Sequence, residues 1–145
     1  MSSRAACTFC EIAAERQPAA RVYADETAVA FLDHSPLFKG HVLLIPRAHH
    51  PTLGELPAAA VGPLFQLAQR LARAVESALG ADGTFVAMNN RVSQSVPHLH
   101  VHVVPRTKGD GLKGFFWPRH PYAGPAEMAE VAARLRAAVA ASPLP

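Results

Sequence analysis

The chain has 145 residues, 50% of them hydrophobic, and a formal charge of +3; that is enough for one domain with a sizeable core. So mild a basic balance suits small anionic ligands and excludes the dense Lys/Arg surface of a nucleic-acid binder. No apolar run is long enough to span a membrane, and two cysteines, Cys7 and Cys10, exclude a disulfide framework.

The opening stretch, MSSRAACTFCEI, has no sustained apolar run after Arg4, so no secretory leader is expected and the chain reads as cytoplasmic. Residues 11–20 read as a short helix or turn ending near Pro18. RVYADETAVAFLD predicts strands over 21–24 and 27–32, with Asp25 and Glu26 at the turn. HSPLFKG is a loop broken by Pro36 and Gly40. HVLLIP, residues 41–46, is a continuous apolar run of the kind that forms a buried strand. From Pro63 to Leu79 the spacing becomes helical: Leu64, Leu67, Ala68, Leu71, Val75, Ala78 and Leu79 form one stripe. Gly80 and Gly83 end that helix. Strands follow at 84–89 and 99–105, and residues 124–142 predict an Ala-rich C-terminal helix. Short links between strands favour antiparallel pairing. The fold expected is therefore α+β, an antiparallel sheet of several strands with one long helix between them and a second helix at the end.

Within PHLHVHVVPR, residues 97–106, histidines stand at 98, 100 and 102. Side chains two apart share one face of a strand, so these three line up while Leu99, Val101 and Val103 turn to the core. One such histidine is ordinarily a satisfied polar side chain, but three on one face imply chemistry, because every buried ring nitrogen needs a partner. Two chemistries compete. Imidazoles two apart can chelate a metal, although no Asp, Glu or Cys lies nearby in sequence to complete the set. Alternatively, neutral imidazole attacks phosphorus to give a labile phosphoramidate, with its neighbours fixing the tautomer and donating to phosphate oxygens. Gln94 and Ser95 upstream are uncharged hydrogen-bonding groups, and Arg106, Lys108, Lys113 and Arg119 outnumber Asp110 downstream, a positive surround for an anion.

QSVPHLHVHVVPR closely resembles the signature of the histidine triad (HIT) family, and CTFCEI, AFLDHSPLFKGHVLLIPRAHH and the Asn89-Asn90 pair agree with it. The likeness spans residues 7–106 and is strongest to small bacterial proteins of the Hint and Fhit branches. It implies a five-stranded HIT-like fold in a single domain covering 1–145, with a core at 7–106 and a C-terminal extension at 107–145. It also implies a hydrolase or nucleotidyl transferase acting on the α-phosphate of purine nucleoside phosphoramidates or dinucleoside polyphosphates, with no cofactor needed for catalysis. By resemblance His100 is the nucleophile, His98 orients it, and His102 contacts phosphate oxygens. Gln94 contacts the phosphate or bridging oxygen, Ser95 assists the leaving group, Asp33 binds ribose hydroxyls, and Asn89 or Asn90 lies near ribose and phosphate. Trp117, in GLKGFFWPR, matches an aromatic that reaches the site across a homodimer. Ser93 stands where the family often has glycine, and NNRVSQS is shorter than usual, which leaves the preferred leaving group open.

Cys7-Thr-Phe-Cys10 has metal-ligand spacing, though a single C-x-x-C is weak by itself. The resemblance implies a structural zinc held by Cys7, Cys10, His49 and His98, with His50 as the alternate to His49. Two other readings stay open: a metal-dependent hydrolase using His100 and His102 as ligands, and a nucleotide-binding regulator with little turnover.

Overall fold

The computed structural model describes residues 7–112 and 119–142, which form two compact units divided between Lys108 and Gly109. In the first, α1 (Thr8–Ala13) precedes strands β1 (Arg21–Ala24), β2 (Ala28–Leu32) and β3 (Val42–Pro46). A 3₁₀ turn (Leu53–Glu55) and the long helix α2 (Ala58–Leu79) follow, then β4 (Gly83–Ala87) and β5 (Val101–Arg106). In the second unit α3 (Pro125–Ala141) buries none of its side chains. The strands form one sheet in the order β1-β2-β3-β5-β4, and every neighbouring pair is antiparallel. The α+β reading is thus borne out. No helix among the described residues is long and apolar enough to cross a membrane.

The alternation within strands sends side chains to two separate cores. Ala28, Ala30, Val42, Leu44, Leu99, Val101 and Val103 pack against Leu64, Leu67, Leu71 and Val75 of α2. Burying each of those leucines contributes about 1.5–3 kcal/mol. Val29, Phe31, Leu43 and Ile45 face the other way, against Cys7, Phe9, Ile12 and Ala13 of the α1 segment. All five residues of β3 are consequently buried, as its unbroken apolar run requires.

Several boundaries differ from the sequence reading for local reasons. The first helix covers Thr8–Ala13 rather than 11–20, because Cys7 caps it: its Sγ accepts from the Cys10 N–H at 3.5 Å. Helix α2 starts at Ala58, a turn before Pro63. Proline there removes a single donor, and the Ala58-Ala59-Ala60 stretch is strongly helix-forming. Strand β5 begins at Val101 because the Leu99 N–H is taken by the His50 carbonyl at 2.7 Å. Gly80 closes α2 in a left-handed conformation, as read from sequence. Gly40 is also left-handed (φ +99), a backbone conformation that residues with a Cβ rarely adopt, which favours glycine at the entry to β3.

The β1–β2 turn is built on Asp25. Its Oδ1 accepts from the Thr27 N–H, the Ala28 N–H and the Thr27 hydroxyl, and its Oδ2 from Tyr23. Burial alone would raise the carboxyl, but these donors outweigh it and hold the group at about 2. The folded value lies below the usual one near 3.8, so this stabilisation is complete above that pH and fades as pH falls toward 2. Asp25→Ala should therefore cost about 1–2 kcal/mol at neutral pH. In urea titrations, the gap between wild type and variant should close as the pH is lowered from 4 to 2. A gap independent of pH would contradict this account.

Candidate active site

His100 and His102 line one cleft and His98 is buried beside them, and backbone carbonyls set which nitrogen of His100 and of His98 carries the hydrogen. His100 Nδ1 lies 2.8 Å from the carbonyl oxygen of His98. A carbonyl only accepts, so Nδ1 bears the hydrogen and Nε2 of the neutral ring keeps a lone pair. His98 is completely buried, and its Nε2 donates to the Pro46 carbonyl at 2.8 Å. That leaves His98 Nδ1 as a bare acceptor facing the sulfurs of Cys7 (3.4 Å) and Cys10 (3.6 Å).

His102 is set by a residue the sequence reading passed over. His41 Nδ1 accepts from the Leu37 N–H at 3.1 Å, which puts its hydrogen on Nε2, 2.9 Å from Nδ1 of His102. His102 therefore presents Nε2–H as a donor. Burial, with His100 and His41 adding to it and Asp33 opposing, pushes His102 down to about 4. Burial likewise holds His98 near 4, partly opposed by its bond to Pro46, and lowers His41 against the pull of Asp33. All three rings are neutral near pH 7. His41 opens the HVLLIP run directly after Gly40; a histidine leading into an apolar strand was the signal that could have found it.

A cleft of about 680 Å³ carries Asp33, Ser95, His100 and His102 on its wall, with Phe9, Ile12, Phe31 and Leu43 as its apolar side. Phe9 stands edge-on to His100, ring centroids 5.1 Å apart. Asp33 serves the local turn through Oδ1, which accepts from the Ser35 N–H at 2.9 Å, while Oδ2 lies 3.8 Å from His41. Other expected site residues are engaged elsewhere. Gln94 donates to the Pro51 carbonyl at 2.6 Å and accepts from the Arg91 N–H at 2.8 Å. Asn89 donates to the Ser93 carbonyl, and Asn90 accepts from the Leu53 N–H. None of these three lines the cleft. Trp117, with Phe115, Phe116 and Lys113, lies outside the described residues.

Behind His98, the ligand atoms of Cys7, Cys10, His49 and His98 all lie within 4.8 Å of one another. Cys10 Sγ is 3.3 Å from His49 Nδ1. Tetrahedral zinc with thiolate and imidazole ligands sets sulfur–nitrogen separations of about 3.5 Å, so the four residues fit zinc. Asp33, His41 and His102 also cluster, but their mutual bond and the Leu37 N–H already occupy Nδ1 and Nε2 of His41 and Nδ1 of His102. His100 belongs to neither metal-competent group among the described residues.

The model of the HIT domain matches residues 14–109. The chain belongs to the HIT family. A HIT-like protein of Mycobacterium tuberculosis is 38% identical over 120 residues, covering 79% of this chain and 83% of that one. An adenylylsulfatase of Arabidopsis thaliana is 34% identical over 108 residues, 73% of this chain and 55% of the plant protein. An adenosine 5′-monophosphoramidase of Schizosaccharomyces pombe is 31% identical over 117 residues, 79% of this chain and 85% of the yeast protein. Among solved structures, a HIT-family protein of Bacillus subtilis superposes with a TM-score of 0.82 at 33% identity, over 90% of this chain and 94% of the other. A zinc-bound histidine triad protein of Mycobacterium smegmatis does so at 0.72 and 35% identity, over 94% and 99%. The HIT fold expected from the motif is therefore the fold observed.

Ser93 has φ +58, and Arg91 two residues before it has φ +72. Both are left-handed positions that disfavour a side chain. Ser93→Gly should relieve that strain and stabilise the protein by about 0.5–1 kcal/mol, after allowance for the freer unfolded glycine. Urea midpoints of the two proteins test it; a lower midpoint in the variant would contradict it.

Proposed function

We propose that this HIT protein is a nucleotide hydrolase or nucleotidyl transferase. It would act on the α-phosphate of purine nucleoside phosphoramidates or dinucleoside polyphosphates, with residues 7–106 as the catalytic core. The observation that carries this reading is the bond from His100 Nδ1 to the His98 carbonyl, which leaves Nε2 as a lone-pair nucleophile on a ring at the cleft wall. The phosphoramidase and adenylylsulfatase relatives support the reaction class.

In the proposed sequence, His100 Nε2 attacks phosphorus and the bond from phosphorus to the leaving group breaks. Charge that builds on the phosphate oxygens meets Nε2–H of His102, held in that tautomer by His41. The Ser95 hydroxyl, on the same wall, hands a proton to the departing group. Water then attacks phosphorus and gives up a proton to the Ser95 oxygen as the phosphorus–nitrogen bond breaks, releasing the nucleoside monophosphate and restoring neutral His100 and the Ser95 hydroxyl. Asp33 binds the ribose hydroxyls through Oδ2, and the side formed by Phe9, Ile12, Phe31 and Leu43 accepts a flat purine. Gln94, Asn89 and Asn90 would reach the phosphate only by exchanging their present backbone partners for it; in their present positions they brace the loop that carries Ser95. Cys7, Cys10, His49 and His98 would hold zinc, which supplies a rigid tie between the α1 segment and His98. The protein would work in the cytoplasm as a homodimer, with Trp117 of a partner copy near the cleft.

Incubation with adenosine 5′-phosphoramidate should release AMP, and His100→Ala should lower kcat by about a thousandfold or more. Rapid denaturation during turnover should trap an adenylyl adduct by intact mass in the wild type alone. His41→Ala should lower kcat about tenfold with little change in KM, since it frees the tautomer of His102 without touching substrate. Absence of both turnover and adduct across phosphoramidate and dinucleoside polyphosphate substrates would sink the reading.

A further inference from the structure

The C-x-x-C pair sits against the one ring whose carbonyl orients His100, and its sulfurs have chemistry that metal binding does not exhaust. Cys7 is the cap of α1, with a non-helical backbone (φ −85, ψ 113), and its Sγ already leans over the first turn to meet the Cys10 N–H at 3.5 Å. The two sulfurs lie within 4.8 Å of each other. Helical residues three apart hold their Cβ atoms about 5–6 Å apart, slightly more than the 3.5–4.5 Å of a disulfide. A capping residue outside the helix can make up that difference by rotating, and Cys7 is such a residue. Cys10 is only half-buried, whereas Cys7 is buried, so an oxidant meets Cys10 first.

We propose that Cys7 and Cys10 form a reversible disulfide whose closure slows the reaction at His100. This inference rests on the function proposed above only for its effect on turnover. The co-reactant is hydrogen peroxide. Cys10 sulfur attacks one peroxide oxygen, the O–O bond breaks, and the sulfenic acid forms as one water leaves. Cys7 sulfur then attacks Cys10 sulfur, the S–O bond breaks, and the second water leaves with the remaining thiol hydrogen. Two thiols are oxidised and one peroxide is reduced to two waters.

The consequence for His98 follows from its tautomer. Its Nε2–H is committed to Pro46, so Nδ1 must accept, and in the reduced protein the nearest donors are the thiols at 3.4 and 3.6 Å. A disulfide has no hydrogen to donate. Closure leaves a completely buried acceptor unmatched, which a protein relieves by moving the ring. The ring is buried on every side and tied to Pro46, which leaves it little room to turn about its own bonds, so the displacement passes to the His98 backbone, whose carbonyl holds Nδ1–H of His100 at 2.8 Å. Bound zinc would occupy both sulfurs and protect them.

The test treats metal-free and zinc-loaded protein with hydrogen peroxide and follows intact mass, followed by dithiothreitol. Metal-free wild type should lose two hydrogens, regain them with dithiothreitol, and do so faster than the zinc-loaded form. Cys7→Ser and Cys10→Ser should not, and Cys10→Ala serves if the serine variant fails to fold. In the oxidised protein kcat should fall about ten- to a hundredfold with KM nearly unchanged, and the His98 and His100 ring resonances should move in NMR spectra. Oxygen addition without a two-hydrogen loss, or an intermolecular disulfide alone, would overturn the site. A disulfide that leaves kcat and both ring resonances unmoved would overturn the coupling. Mass and ring resonances need no turnover, so they decide the matter even for a protein that hydrolyses no nucleotide.

Discussion

The carbonyl oxygen of His98 and Nδ1 of His100, 2.8 Å apart, form the contact through which the rest of the site acts. Because the carbonyl can only accept, the ring is held in the tautomer whose Nε2 bears a lone pair, and its plane is set by a peptide group rather than by a mobile side chain. The peptide is itself held. His98 donates from its backbone to Val96 and from its ring to Pro46, and Leu99 is tied to His50. For the proposed attack, an imidazole placed this way would lose little entropy on reaching the reacting geometry. A second relay, from the Leu37 amide through His41 to His102, applies the same rule to the ring that donates.

The sheet makes these relays possible because both its faces are covered. Helix α2 buries the face of Leu99, Val101 and Val103, so the backbone around the triad is clamped from behind. The α1 segment covers the face of Leu43 and Phe31, and brings Phe9 to His100 and the two cysteines to His98. That segment is short, and two arginines, one on β1 and one just past β3, add to its apolar anchorage. Arg47 donates to the Ala13 carbonyl at 2.7 Å and the Asp25 carbonyl at 2.6 Å, and Arg21 donates to the Ile12 carbonyl. The end of α1, the β1–β2 turn and the end of β3 are thereby tied to one another.

Burial accounts for the electrostatics as well as the packing. His98 and His102 both sit well below the ordinary imidazole value, with desolvation as the leading cause in each. For the proposed reaction, fixed positive charge is one way to meet an anionic phosphate. Among the described residues the cleft wall instead offers the neutral His102 ring and the Ser95 hydroxyl, which would stabilise charge as it develops without binding the ground state too tightly.

Much of this was legible in the chain itself. Period-two alternation at 98–103 separated a histidine face from a core face, the unbroken HVLLIP run marked a doubly covered strand, and the 64–79 stripe marked α2, because solvent exclusion imposes those periods locally. Cys7, Cys10, His49 and His98 were grouped by motif, and the fold brings them together. What the sequence could not contain were the contacts across long separations: His41 against His102, Gln94 turned to Pro51, and Asn90 turned to Leu53. By itself the sequence determined which residue types share a face, since that follows from backbone geometry. Tertiary structure decided which nitrogen of each imidazole is bare, since that depends on whether a donor or an acceptor from a distant part of the chain stands opposite it.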